Sequence, residues 1–159
     1  MRSAEQIPVT VRTARMMWFV AIGAGVFETV LMMASGGAAE GAVIGVAVRA
    51  VVFTAAVMVV QRMSAGRRWA RWVLTVALGV LGTLSLTVGP VLWLAEGNSI
   101  NEVIRNYGTI DLLFGGSRAV HVAAVLSACV LMFMPSANAY FRTRPPRPAP
   151  GRASARKRL

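Results

Sequence analysis

Apolar residues do not alternate with polar ones along this chain. They gather into four long runs, over about residues 16–36, 41–61, 72–95 and 118–137, separated by short polar or charged connections. A helix needs ~20 mostly apolar residues to cross a bilayer core, and each run is near that length. The pattern predicts an all-α integral membrane four-helix bundle. A polar segment over residues 99–108 lies between the third and fourth runs, and residues 142–159 form a basic tail.

The connections predict further elements. The hairpin Ser35-Gly36-Gly37-Ala38-Ala39-Glu40-Gly41 is small and polar, so the first two runs should be antiparallel neighbours. Between the third and fourth, Ser99 and Glu102 have capping-box spacing, Ile100, Val103, Ile104 and Tyr107 share a helical face, and Gly108 suits a C-terminal cap. A short amphipathic helix along the outer interface is expected, with Ile110, Leu112, Leu113 and Phe114 dipping into the lipid boundary before Gly115-Gly116. Gly89-Pro90 and Pro135 should kink or end their helices. The tail, rich in proline and arginine, should be disordered when free.

Composition sharpens this reading. Of 159 residues, 56% are apolar and 14% charged, against about 25% charged in a soluble domain. A net charge of +11 would suggest nucleic acid in a soluble protein, but its placement argues against that partner. Arg2, Arg12 and Arg15 precede the first run. Arg62, Arg67, Arg68 and Arg71 fill the second connection, and Arg142, Arg144 and Arg147 begin the basic tail. Glu40, Glu96, Glu102 and Asp111 occupy the other two connections. By the positive-inside rule both termini are expected to be cytoplasmic, with the basic clusters near anionic lipid. Trp18, Trp69, Trp72 and Tyr140 then fall at inner edges, and Trp93 and Tyr107 at outer ones, as interface anchors. The first run is too long for an export signal and carries Glu28, so it reads as a retained helix.

Two charges interrupt the first two runs. In an antiparallel hairpin, residues whose numbers sum to about 77 lie side by side, and Glu28 and Arg49 meet that condition. Each sits about two turns from the hairpin, some ~12 Å deep at ~1.5 Å per residue. A lone charge there costs at least ~2.5 kcal/mol, so an intramembrane ion pair between Glu28 and Arg49 is expected. Small residues mark helix-packing faces: Ala21, Gly25 and Thr29; Gly41, Gly45 and Arg49; Thr75, Gly79, Thr83 and Thr87; and Ala119, Ala123 and Ser127. These faces serve packing within the bundle or, most readily for the third, packing against another protein.

Reactive groups are few. With one cysteine, Cys129, and one histidine, His121, one chain cannot assemble a Cys/His zinc site, and no phosphate-loop or nucleophile-elbow pattern occurs. No catalytic residue, metal or cofactor is expected. Small multidrug-resistance transporters are also four-helix proteins with a first-span glutamate, but the one-sided basic bias here departs from them.

The segment Ser64-Ala-Gly-Arg-Arg-Trp-Ala-Arg-Trp-Val-Leu-Thr75 and the ending Val130-Leu-Met-Phe-Met-Pro-Ser-Ala-Asn-Ala-Tyr-Phe-Arg142 resemble a group of small four-span integral membrane proteins of actinobacteria, including mycobacteria. A single lysine, Lys157, among 17 basic residues fits a GC-rich genome of that kind. The group is mostly uncharacterised. Some similar proteins are accessory subunits of respiratory cytochrome complexes, so the resemblance implies a non-enzymatic accessory subunit of a larger membrane complex, or of a homo-oligomer. The alternative is a small transporter or proton-pathway protein using Glu28.

Overall fold

The computed structural model describes residues 7–35, 42–97, 101 and 108–143, and the described residues form helices and no strand. The interfacial helix expected over 99–108, with Tyr107, lies outside them but for its two positions 101 and 108. So do Gly41, Arg144, Arg147 and nearly all of the tail.

Four rods are long and apolar enough to cross a membrane: Val9–Ala34, Val43–Ser64, Arg68–Ala95 and Thr109–Phe133. The first, α1 (Val9–Ala34), starts after Pro8, whose fixed φ leads into a helix and whose carbonyl accepts from the Val11 and Arg12 amides. The second, α2 (Ala42–Ser64), ends in a Schellman turn. Gly66 adopts φ +81°, its amide donates to the Met63 carbonyl, and the Arg67 amide donates to the Arg62 carbonyl.

The third rod changes helical type along its length. It begins as α3 (Arg68–Val73), widens into a π-helical stretch over Leu74–Gly82, and returns to α-helix as α4 (Thr83–Ala95). Helix α4 continues through Pro90, so Gly89-Pro90 does not end it. The fourth rod, α5 (Thr109–Phe133), has Asp111 in its first turn, accepting from the Gly108 amide at 3.1 Å. It runs unbroken through Gly115-Gly116, so residues 109–114 are the start of this helix and not a separate interfacial loop. Met134 is extended, as the residue before a proline prefers, and Pro135 opens a separate short helix, α6 (Pro135–Thr143).

Burial is lopsided along the bundle. The core comprises Val11, Ala14, Trp18 and Ala21 of α1, Val60 and Met63 of α2, Ala70 and Leu74 of the third rod, Ala124, Val125, Ala128 and Met132 of α5, and Ala137 and Phe141 of α6. These positions cluster toward the arginine-rich end, where α1 begins and α2 ends. Toward the opposite, hairpin end, α4 buries no residue, and Val43 and Ile44 are 82% and 71% exposed. Exposed apolar side chains suit a bilayer, where lipid is as apolar as the residues it meets and helices associate through packing and polar contacts.

Helix α6 ties the arginine end together. Its Ser136 shares a 3.0 Å hydrogen bond with Thr10, and Tyr140 donates to the Ser64 carbonyl at 2.9 Å. Arg71 donates to Asn138 Oδ1, and Arg68 donates to the Phe141 and Arg142 carbonyls. The short helix therefore touches the first three rods directly and continues from the fourth.

Candidate functional site: an intramembrane charge cluster

Helix α1 packs most extensively against α5 and less against α2, and this decides which charge meets Glu28. The ion pair among the described residues is Arg118 Nε to Glu28 Oε2 at 3.9 Å. Arg49 is not the partner. It lies exposed on α2, and its guanidinium donates to Met32 Sδ at 3.3 Å. The hairpin register sets depth, but the two charges differ in direction around their helices. Glu28 is 15% exposed and turned toward the bundle, whereas Arg49 faces outward.

The cluster is built at the crossing of α1 and α5. One turn before Glu28, Gly25 admits the ring of Phe53, since a Cβ there would lie 2.9 Å from two ring carbons, and His121 Cε1 would be 3.8 Å away. Ser117 donates to the Ala24 carbonyl at 3.2 Å, and Thr29 to the Gly25 carbonyl at 2.8 Å. Two polar atoms in this zone, Glu28 Oε1 and His121 Nδ1, are buried without a hydrogen-bond partner among the described residues. In lipid such atoms cost free energy unless water or a partner reaches them.

Arg118, 48% exposed, looks from this crossing into an open cleft between α4 and α5 of about 860 Å³. Leu86, Thr87, Pro90, Trp93, Asp111 and Phe114 are among its lining residues. The cleft is thus largely apolar with a cation and a carboxylate in its wall. Such a wedge can accept an apolar helix or an amphiphile.

The expected packing residues divide. Ala21 and Thr29 are buried on α1, with Gly25 half-buried between them. On the third rod Thr75, Gly79, Thr83 and Thr87 are half-buried and face the bundle, and a Cβ on Gly79 would lie 3.0 Å from Cys129 Sγ. Thr75 and Thr87 turn their hydroxyls back to the Arg71 and Thr83 carbonyls. On α5 the buried small residues are Ala124 and Ala128, one position along from the expected Ala119, Ala123 and Ser127, which are exposed. A Cβ on Gly45 would meet nothing within 4 Å, so Gly45 itself has no packing neighbour there among the described residues, while Arg49 on the same stripe reaches Met32.

The anchors also divide. Trp69 and Trp72 are exposed, and Trp93 and Tyr140 are half-buried. Trp18 is fully buried in the core, where its ring packs between helices instead of being offered to headgroups. Helix α1 begins two turns earlier than its apolar run, with Val11 and Ala14 in the same core as Trp18. Of the basic cluster, Arg62, Arg67, Arg68 and Arg142 are exposed, and Arg71 is half-buried over the rings of Trp72, Phe133 and Phe141.

Fold and charge placement together define a multi-pass, all-helical protein with four membrane-spanning-capable rods. Compared with protein-family models, curated proteins and solved structures, the chain matches none.

Proposed function

We propose that this protein is a non-enzymatic accessory subunit of a larger complex in a bacterial plasma membrane, with both termini cytoplasmic. The observation that carries the reading is Arg49. It sits two turns inside a spanning helix, faces outward beside Gly45, and among the described residues has only a thioether as its side-chain acceptor. An unpaired arginine costs ~2.5 kcal/mol or more at the centre of a span, and two turns inside one, part of that cost still favours a partner helix carrying a carboxylate. A small-residue neighbour such as Gly45 lets that helix approach closely. The resemblance to actinobacterial four-span proteins makes a respiratory complex the particular assembly proposed.

Purification of the tagged chain from its native membrane in mild detergent tests this. The expected result is a stoichiometric larger complex for the wild type and loss of the partner in Arg49→Leu, with the variant chain still folded. A solitary monomer or dimer in both preparations would count against the reading.

A second reading rests on its own observation. Glu28 Oε1 and His121 Nδ1 are buried without partners among the described residues, close to an open cleft, as a proton or cation pathway would require. Reconstituted vesicles decide it: pH-dependent flux abolished by Glu28→Gln would establish transport.

A further inference from the structure

The second cavity lies at the arginine end, and its chemistry is unlike that of the cleft. It encloses about 630 Å³ between α3 and α6, and its walls include Arg68, Arg71, Pro135, Asn138 and Arg142. Three arginines line one space, and no carboxylate lines it among the described residues. We propose that this cavity is a binding site for the phosphate of an anionic phospholipid headgroup.

Preorganisation is the first argument. Arg68 is held by the Phe141 carbonyl at 2.6 Å and the Arg142 carbonyl at 3.0 Å, and Arg71 by Asn138 Oδ1 at 2.6 Å. Arg71 also lies over the Phe133 and Phe141 rings, each 5.2 Å from its guanidinium carbon. These contacts fix both side chains while engaging only part of their donors, since a guanidinium carries five N–H groups. The rotamer entropy that phosphate binding would otherwise cost is already lost in folding.

Charge is the second. Arg68 and Arg71 are close enough to repel one another, and the groups holding them are neutral carbonyl and amide oxygens. An anion relieves that repulsion, and planar guanidinium groups match phosphate oxygens in pairs. Position selects the source of the phosphate. The cavity lies at one end of the spanning rods beside the exposed Trp69 and Trp72, the level at which tryptophans meet headgroups. Pro135 and Ala139 give it an apolar side, and basic pockets between spanning helices suit anionic headgroups.

The test uses the full-length chain purified in neutral detergent and titrated with phosphatidylglycerol, the bound lipid being counted by native mass spectrometry. The wild type should bind one lipid saturably. Arg68→Gln combined with Arg71→Gln should weaken binding at least tenfold, whereas Arg62→Gln combined with Arg67→Gln, removing equal charge nearby, should change it less than twofold. Arg142→Gln leaves in place the backbone carbonyl that holds Arg68, so it keeps the test sound if the first pair unfolds, and it should weaken binding several-fold. Equal losses in both pairs, or unchanged binding in Arg142→Gln and the first pair alike, would overturn the proposal. So would phosphatidylcholine binding as tightly, or inorganic phosphate binding alone at the affinity of the lipid.

Discussion

Neutralising Glu28, Arg118 and Arg49 singly and in pairs separates the geometry seen here from the one that hairpin register suggests. At 3.9 Å the Glu28 and Arg118 charges attract by about 4 kcal/mol at an effective dielectric of ~20. Two factors reduce the net value. Arg118 is 48% exposed, so part of its solvation survives, and holding the pair partly desolvates Glu28. Polar couplings measured between membrane helices average about 0.6 kcal/mol and reach about 1.7. The expected coupling between Glu28→Gln and Arg118→Gln is therefore about 0.6–1.7 kcal/mol, read as the failure of the two losses to add. Glu28→Gln and Arg49→Gln should instead be additive within about 0.5 kcal/mol, as for sites sharing no contact. The assay is reversible unfolding in mixed micelles of rising dodecyl sulfate fraction, followed by helical circular dichroism. A larger coupling for Glu28 with Arg49 than with Arg118 would refute the reasoning.

Further outcomes follow from local packing. Gly79→Val should destabilise by about 1–3 kcal/mol, because the added Cβ would lie 3.0 Å from Cys129 Sγ, while Gly45→Val should stay within about 0.5 kcal/mol in the isolated chain; the same unfolding assay checks both. Tyr140→Phe should cost about 0.5–1.5 kcal/mol through loss of the bond to the Ser64 carbonyl. Trp18→Ala should cost about 3–5 kcal/mol and Trp18→Phe clearly less, since phenylalanine keeps much of the ring and removes an indole N–H that has no acceptor among the described residues. In a Cys129→Ala background, Arg67→Cys should be labelled by a membrane-impermeant maleimide only after the cell is opened, which tests the cytoplasmic placement of the arginine end.

The four rods are legible in the sequence because hydropathy reports directly which stretches prefer lipid. Their ends are not, for the same reason: hydropathy measures lipid preference and not helix length. Thr10, Arg12 and Arg15 extend α1 outside the apolar run, and Thr109 to Ser117 extend α5 in the same way. Trp18 is buried because other helices pack over it, which hydropathy along one run does not report. The depth of Glu28 and Arg49 is readable from the hairpin, but their direction depends on which helices pack, and adjacency in sequence does not fix that. Arg118 gives no warning of its role because it stands near the start of its apolar run, where an arginine needs no partner. The Schellman turn at Gly66 and the break at Pro135 carry plain local signals, whereas no residue pattern announces the π-helical stretch over Leu74–Gly82.

The uneven distribution of cross-links has a mechanical consequence that bears on both functional readings. At the arginine end, side chains of α6 or its neighbours join Thr10, Ser64, Arg68 and Arg71 to one short helix, so separating any rod there breaks a hydrogen bond as well as packing. Toward the hairpin end, the polar links between rods among the described residues centre on α1: the Ser117 bond to Ala24, the Glu28 pair with Arg118, and the Arg49 contact with Met32. Helix α4 has no fully buried residue, only half-buried ones such as Thr83, Leu86 and Thr87, so tilting it outward gives up less packing than moving another rod and widens the cleft that Arg118 lines. A partner helix entering that wedge would bury α4 and Arg118 together without disturbing the tied end. A transported solute would exploit the same asymmetry, but would also need a route past the packed core at the arginine end, to which Trp18, Met63, Leu74 and Met132 belong. That core makes passage through the single bundle the more demanding of the two proposed uses.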